Sequence, residues 1–184
     1  MSIIIGIDPG IRRCGYAIIQ NANNKKDSSY KILDAAVIIN EREASESYTQ
    51  YIINDTKLDD NRRMRISRMH DTFHHLISKL KPYQKDISAI GIEQFYFMTR
   101  TQQHAEFLYG LRGALMMHAL THGRPLYDVG PTEMKKYITG WGTANKARIH
   151  TMITHLYQLD TAPQYADISD ALGIAYVTAK MSKN

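Results

Sequence analysis

The apolar positions follow two periods, and their order along the chain predicts the fold class. Ile3 to Ile7 is a nearly continuous apolar run, the pattern of a strand buried on both faces. Asp8-Pro9-Gly10 then breaks the chain in a turn. Tyr16 to Gln20 and Tyr30 to Asn40 read as a second and a third strand, with polar Asn21 to Ser29 as the hairpin loop between them. The chain thus opens with a three-stranded meander. Glu41 to Asp60 is polar and poorly patterned. Arg62 to Leu80 carries Met64, Ile66, Met69, Phe73, Leu76, Ile77 and Leu80 at helical spacing, and Lys81-Pro82 ends it. Ile87 to Ile92 is a further apolar strand, closing on Glu93. A long helix covers Gln102 to His122 and stops at Gly123; Pro125 to Val129 is a fifth strand. Helices follow near Thr132 to Ile138, Ala144 to Leu156 and Ala166 to Lys180, the first two separated by Gly140-Trp141-Gly142. Strands first, then alternating helices and strands, predict an α/β fold with a mixed five-stranded sheet flanked by helices.

Composition narrows the class. The 184 residues suit one domain, spanning 1–184, with a single sizeable core. No apolar run approaches the ~18 residues that span a bilayer, so no membrane partner is expected. Met1-Ser2-Ile3 leads straight into a strand-like segment without the regions of a signal peptide. Cys14, the sole cysteine, permits no intramolecular disulfide, and the expectation is a reducing, cytoplasmic setting. The net charge of +5 and pI of about 9.2 favour a polyanionic partner, because neutralised phosphates release counterions.

Chemistry enters through four acids. Asp8 and Glu93 each end an apolar strand, where an ionised carboxylate is costly unless it sits at the sheet's edge, is paired or holds a metal. Asp167 and Asp170 lie three residues apart, on one face of a helix. If the four converge, repulsion raises some of their pKa values unless cations neutralise them, and hard, oxygen-preferring Mg2+ or Mn2+ would do so. Two such ions about 3.5–4 Å apart activate a water and stabilise the leaving oxygen of a phosphodiester. A zinc site would instead want several His or Cys ligands at short spacing; His70, His74 and His75 on one helix read as surface residues. Each acid also has a bland alternative: Asp8 as a turn initiator, Glu93 as an exposed strand end, Asp167 and Asp170 as helix caps.

The order of motifs resembles RuvC-type Holliday-junction resolvases of the RNase H-like superfamily. Ile4-Ile5-Gly6-Ile7-Asp8-Pro9-Gly10, with Gly15-Tyr16 after it, resembles their opening. Ile92-Glu93-Gln94 before an aromatic cluster is similar to their second acidic motif, and Leu111-Arg112-Gly113 looks like the end of their central helix. Val129 to Lys136, then Gly140-Trp141-Gly142 and Lys146, resembles their strand, helix and basic loop. Ala166 to Leu172 is similar to their C-terminal acidic motif. The likeness spans nearly the whole chain, in order.

The resemblance implies that Asp8, Glu93, Asp167 and Asp170 ligate two Mg2+ ions, with Mn2+ able to substitute. It implies a homodimer whose subunits each nick one of two strands of like polarity in four-way junction DNA. Lys135 and Lys146 match basic positions near the scissile phosphate, Lys146 with a catalytic role in neutralising developing charge. Arg112 is a further DNA-binding candidate. Tyr96 or Phe97, just after the second acid, matches the aromatic that stacks on bases at the junction centre, a contact worth ~1–3 kcal/mol. A branch-migration motor complex is a candidate partner, and the dimer interface is sought on the Gln102 to His122 helix with Met116 and Met117. Arg62, Arg63, Arg65 and Arg68 form a basic helix face that is either solvated or a contact to a junction arm.

Three features depart from the family: a long 41–60 segment, an aromatic cluster one residue longer, and Trp141 where an aliphatic residue is usual, with packing as its first expected role and DNA contact as the alternative. The main rival is another RNase H-like nuclease acting on RNA–DNA hybrid or structured RNA, which would share the acids. An actin-like phosphotransferase would share the opening motif but needs a second Gly-rich loop, for which this chain has no candidate.

Overall fold

The computed structural model describes residues 2–21, 30–40, 60–95 and 102–183. Its elements run β1 (Ile3–Asp8), β2 (Arg13–Asn21), β3 (Tyr30–Ile39), α1 (Asp60–Leu80), a 3-10 turn (Lys81–Tyr83), β4 (Ile87–Glu93), α2 (Gln102–Thr121), β5 (Leu126–Val129), α3 (Pro131–Thr139), α4 (Lys146–Leu156) and α5 (Ala166–Met181). The five strands form one sheet in the order β3-β2-β1-β4-β5. β1 pairs antiparallel with β2 and parallel with β4; β2 pairs antiparallel with β3, and β4 parallel with β5. This is the mixed sheet that the strand order predicts. β2 begins at Arg13, earlier than its apolar pattern suggests, because Arg13, Cys14 and Gly15 pair with Ile39, Ile38 and Val37. Of the expected hairpin loop after β2, residues 22–29 lie outside the described residues, as does the segment 41–59.

Strand alternation sorts the core onto two faces. Ile3, Ile5, Ile7, Tyr16, Ile18, Ile90 and Ile92 pack against Leu76 and Leu80 of α1 and Leu111, Leu115 and Ala119 of α2. Ile4, Ala17, Ile19, Ala89 and Val129 face the other way, onto buried residues of α3, α4 and α5. Cys14 is fully buried, and burial pushes its thiol up to about 12. Among the described residues, no helix is long and apolar enough to cross a membrane.

On the second face α5 lies directly on the sheet. A Cβ on Gly6 would overlap the Ala171 carbonyl oxygen and the Ala175 amide; one on Gly91 would overlap the Thr178 hydroxyl. One on Gly15 would overlap the carbonyl oxygen of Asp167. Ala171, Ala175 and Thr178 recur at helical spacing, so one small-residue edge of α5 runs along glycines on three adjacent strands. Backbone therefore meets backbone. We expect Gly6→Ala and Gly91→Ala each to destabilise the chain by about 1–3 kcal/mol or more through overpacking, measured by urea unfolding. Unchanged midpoints would show that α5 can retreat without cost.

Candidate active site

Alternation also places the acids. Asp8 lies two residues beyond Gly6 on β1 and Glu93 two beyond Gly91 on β4, so both carboxyls share the face on which α5 rests. β1 and β4 are parallel neighbours, and their ends bring the two side chains into hydrogen-bond contact. From above, the first turns of α5 deliver Asp167 and Asp170; the Asp167 backbone touches Gly15, whose β-partner is Asp8. The four acids predicted from the sequence thus converge from two strand ends and one helix. Tyr165 is the N-cap of α5 and no side chain caps it, so capping does not account for its two acids.

The electrostatics record this crowding. Burial holds the Asp8 carboxyl well above the usual range, and the charges of Glu93, Asp170 and Asp167 push it further. Glu93 is raised by burial and by Asp170, while the hydrogen bond with Asp8 and the charges of Lys146 and Lys135 pull it down. A hydrogen bond between two carboxyls needs a proton on one of them, so the pair resists full ionisation. Asp170 is raised by burial and by Asp167, against Lys146, Lys135 and His150. Both predicted lysines therefore act on the acids: Lys135 from α3 and Lys146 from the start of α4, where Asn145 caps the helix by accepting from the Arg148 amide at 2.9 Å. Among the described residues no three acidic, histidine or cysteine side chains form a closed ligand shell as they stand. What the fold supplies is convergence of hard oxygen donors.

His150 was not among the residues picked from the sequence. Its Nδ1 lies 2.6 Å from the Ser169 hydroxyl, beside Asp170. The only signal in the sequence is its spacing of four from Lys146, which puts both on one side of α4.

Other predicted residues end elsewhere. Arg112 lies mid-helix in α2, not at a helix end, and its guanidinium is engaged within the chain. Nε donates to the Glu93 carbonyl at 3.3 Å, Nη2 pairs with the Asp128 carboxylate, and Nη1 lies 3.2 Å from the Met116 sulfur. It ties the ends of β4 and β5 together. Arg62 pairs with Glu106 at 2.6 Å and Arg68 is buried, so the basic face of α1 is partly turned inward. Trp141, expected to pack, stands 57% exposed. Tyr96 and Phe97 lie outside the described residues.

The raised carboxyls carry a stability cost with a definite sign. Above the ordinary Asp value of 3.8 the unfolded chain has released protons that folded Asp8 still holds. Stability of the metal-free chain therefore falls as pH climbs from there through the raised value, and the deficit persists above it. Asp8→Asn removes the deficit. With a chelator at neutral pH it should melt higher than the parent by a few degrees, on the order of 1–2 kcal/mol, with the gain vanishing near pH 4. A lower melting point at both pH values would mean that the acids do not repel.

The profile described as crossover junction endodeoxyribonuclease RuvC matches residues 4–58 and 26–178. RuvC of Alkaliphilus metalliredigens is 30% identical over 94% of this chain and 90% of its own length. RuvC of Vibrio vulnificus is 30% identical over 100% of this chain and 90% of its own length. Thermus thermophilus RuvC superposes with a TM-score of 0.75 at 22% identity, covering 98% of this chain and 95% of its own. The same protein in complex with Holliday junction substrate gives 0.73 at 20% identity, with the same coverage. The yeast mitochondrial Holliday junction resolvase gives 0.60 at 17% identity, over 99% of this chain and 78% of its own, a likeness of fold. With its mixed sheet, its four converging acids and these full-length matches, the chain belongs to the RuvC family of crossover junction endodeoxyribonucleases.

Proposed function

We propose that this chain resolves four-way DNA junctions by paired symmetric nicks, as a magnesium-dependent endodeoxyribonuclease working in the cytoplasm. The observation that carries the reading is the convergence of Asp8, Glu93, Asp167 and Asp170, opposed by Lys135 and Lys146. The relatives' names as crossover junction endodeoxyribonucleases support the substrate. The donor set fits a pair of Mg2+ ions, with Mn2+ as a substitute: it offers only carboxylate oxygens, and the burial and mutual repulsion that lift three of them are what divalent charge relieves. When bound, the ions supply Lewis-acid charge at the attacking and leaving oxygens of the phosphodiester.

The side chains do the rest. Asp8 and Glu93, fixed on neighbouring strand ends, set one wall of the site; Asp167 and Asp170 set the other. Lys146 and Lys135 offset the negative wall that would otherwise repel a polyanion, and they hold the scissile phosphate as charge develops on it. His150, held to Ser169, keeps α4 and α5 in register beside Asp170.

A homodimer completes the reading, since paired nicks need two sites. α2 offers an outward apolar stripe of Tyr109, Met117 and Leu120, with Gly113 between them and open space around it. Met116, named with Met117 from the sequence, turns instead to its own core. A branch-migration motor is a further partner of this reading.

A labelled synthetic four-way junction incubated with Mg2+, beside linear duplex and an RNA–DNA hybrid, tests the substrate: symmetric nicks in the junction alone are expected. Cutting of the hybrid instead would leave the metal site standing and move the activity to another RNase H-like class. Asp8→Asn, Glu93→Gln and Asp170→Asn should abolish cleavage while junction binding largely persists in gel shifts. Lys146→Ala should slow single-turnover cleavage about 100- to 1000-fold. Leu120→Glu should yield monomers in analytical ultracentrifugation; dimers that survive it would place the interface elsewhere.

A further inference from the structure

The loop between α3 and α4 is built to hold its tryptophan outward. Gly140 ends α3 in the left-handed region, φ 83°, where a side chain would strain the backbone. Gly142 approaches α3 so closely that a Cβ would press on the Thr132 methyl at 2.8 Å. Between them the Trp141 amide donates to the Thr139 hydroxyl at 3.2 Å, and the Ala144 amide donates to the Trp141 carbonyl at 3.2 Å. The same buried Thr139 hydroxyl donates to the Lys135 carbonyl at 2.8 Å, so Trp141 is tied to the backbone of a lysine that acts on the acids.

The indole is thus rigid and exposed, and it is also backed. The Arg148 guanidinium lies 4.0 Å from the ring centroid, a close cation–π contact that covers one face and leaves the other to solvent. Trp141 lies in the loop bracketed by Lys135 on α3 and Lys146 at the start of α4, the two lysines that act on the acids. A groove of about 810 Å³ lined by Gln94, Gly130, Thr132, Glu133, Lys136 and Tyr137 connects the residue after Glu93 to the helix α3, on which Gly142 rests. A lone exposed apolar residue needs no explanation. A tryptophan fixed by hydrogen bonds, stacked on a cation and carried on the loop between the two lysines that act on the acids does.

We propose that Trp141, backed by Arg148, is a stacking platform for a nucleobase of the strand to be cut, and so a second determinant of how DNA is positioned at the acids. This rests on the junction-cleaving function proposed above. Stacking on an aromatic face tolerates any base, while the adjacent guanidinium and Lys146 meet the flanking phosphates.

Trp141 is the only tryptophan of the chain, so its emission reads this contact directly. Asp8→Asn protein, with Mg2+ present, is titrated with a labelled four-way junction while DNA anisotropy and tryptophan emission are followed together. The emission should be quenched by half or more along the same isotherm, and the indole should become protected from acrylamide. Trp141→Ala should weaken binding about 5- to 100-fold, with Trp141→Phe recovering most of the loss. Saturated anisotropy with unchanged emission and unchanged acrylamide access would overturn the platform and leave the nuclease reading intact. Absence of any anisotropy change would instead overturn the junction-cleaving function and the platform with it.

Discussion

The structure depends on one close contact, the seating of α5 against a row of glycines. Gly6, Gly15 and Gly91 stand on three neighbouring strands, and helix backbone or small side chains occupy the space where their Cβ atoms would be. Contacts this tight leave the helix little freedom to shift, because a packed interior responds to a displaced methyl with strain. Asp8 and Glu93 follow two of these glycines by two residues, and Asp167 rests on the third. Site geometry is therefore set by core packing, and the precision demanded of four carboxylates comes from a helix that cannot slide.

That precision opposes stability. Asp8, Glu93 and Asp170 are all held above their ordinary range, burial being the first cause in each case. A chain selected for stability alone would replace them, and buried clusters of this kind are where functional sites concentrate. The opposing lysines come from α3 and α4, outside the sheet, where their side chains meet the acids without being buried with them.

Basic residues take different places in the packing. Arg112 has the chemistry of a phosphate contact, yet it fastens β4 to β5 through the Glu93 carbonyl and Asp128. Lys146, with a simpler side chain, is the cation that faces the acids. Trp141, for which packing is the first expectation, is held on the surface by the loop's hydrogen bonds and by Arg148.

Much of this protein was legible in the chain because its determinants are local. The continuous apolar run of β1, the helical spacing in α1 and the stops at Pro82, Gly123 and Gly140 depend on neighbours a few residues away, and each element was predicted near its place. The four acids were legible for a similar reason, since a carboxylate closing an apolar strand is costly wherever that strand ends up. Tertiary structure alone decided what depends on register and packing. Whether Asp8 and Glu93 face α5 is settled by strand alternation relative to Gly6 and Gly91, and a one-residue slip would turn both away. His150 meets Ser169, Arg112 turns inward and Trp141 turns outward through partners that no spacing along the chain encodes. Local sequence carries period and cost, while the choice of partner across the fold belongs to the folded packing, where every side chain competes for the same space.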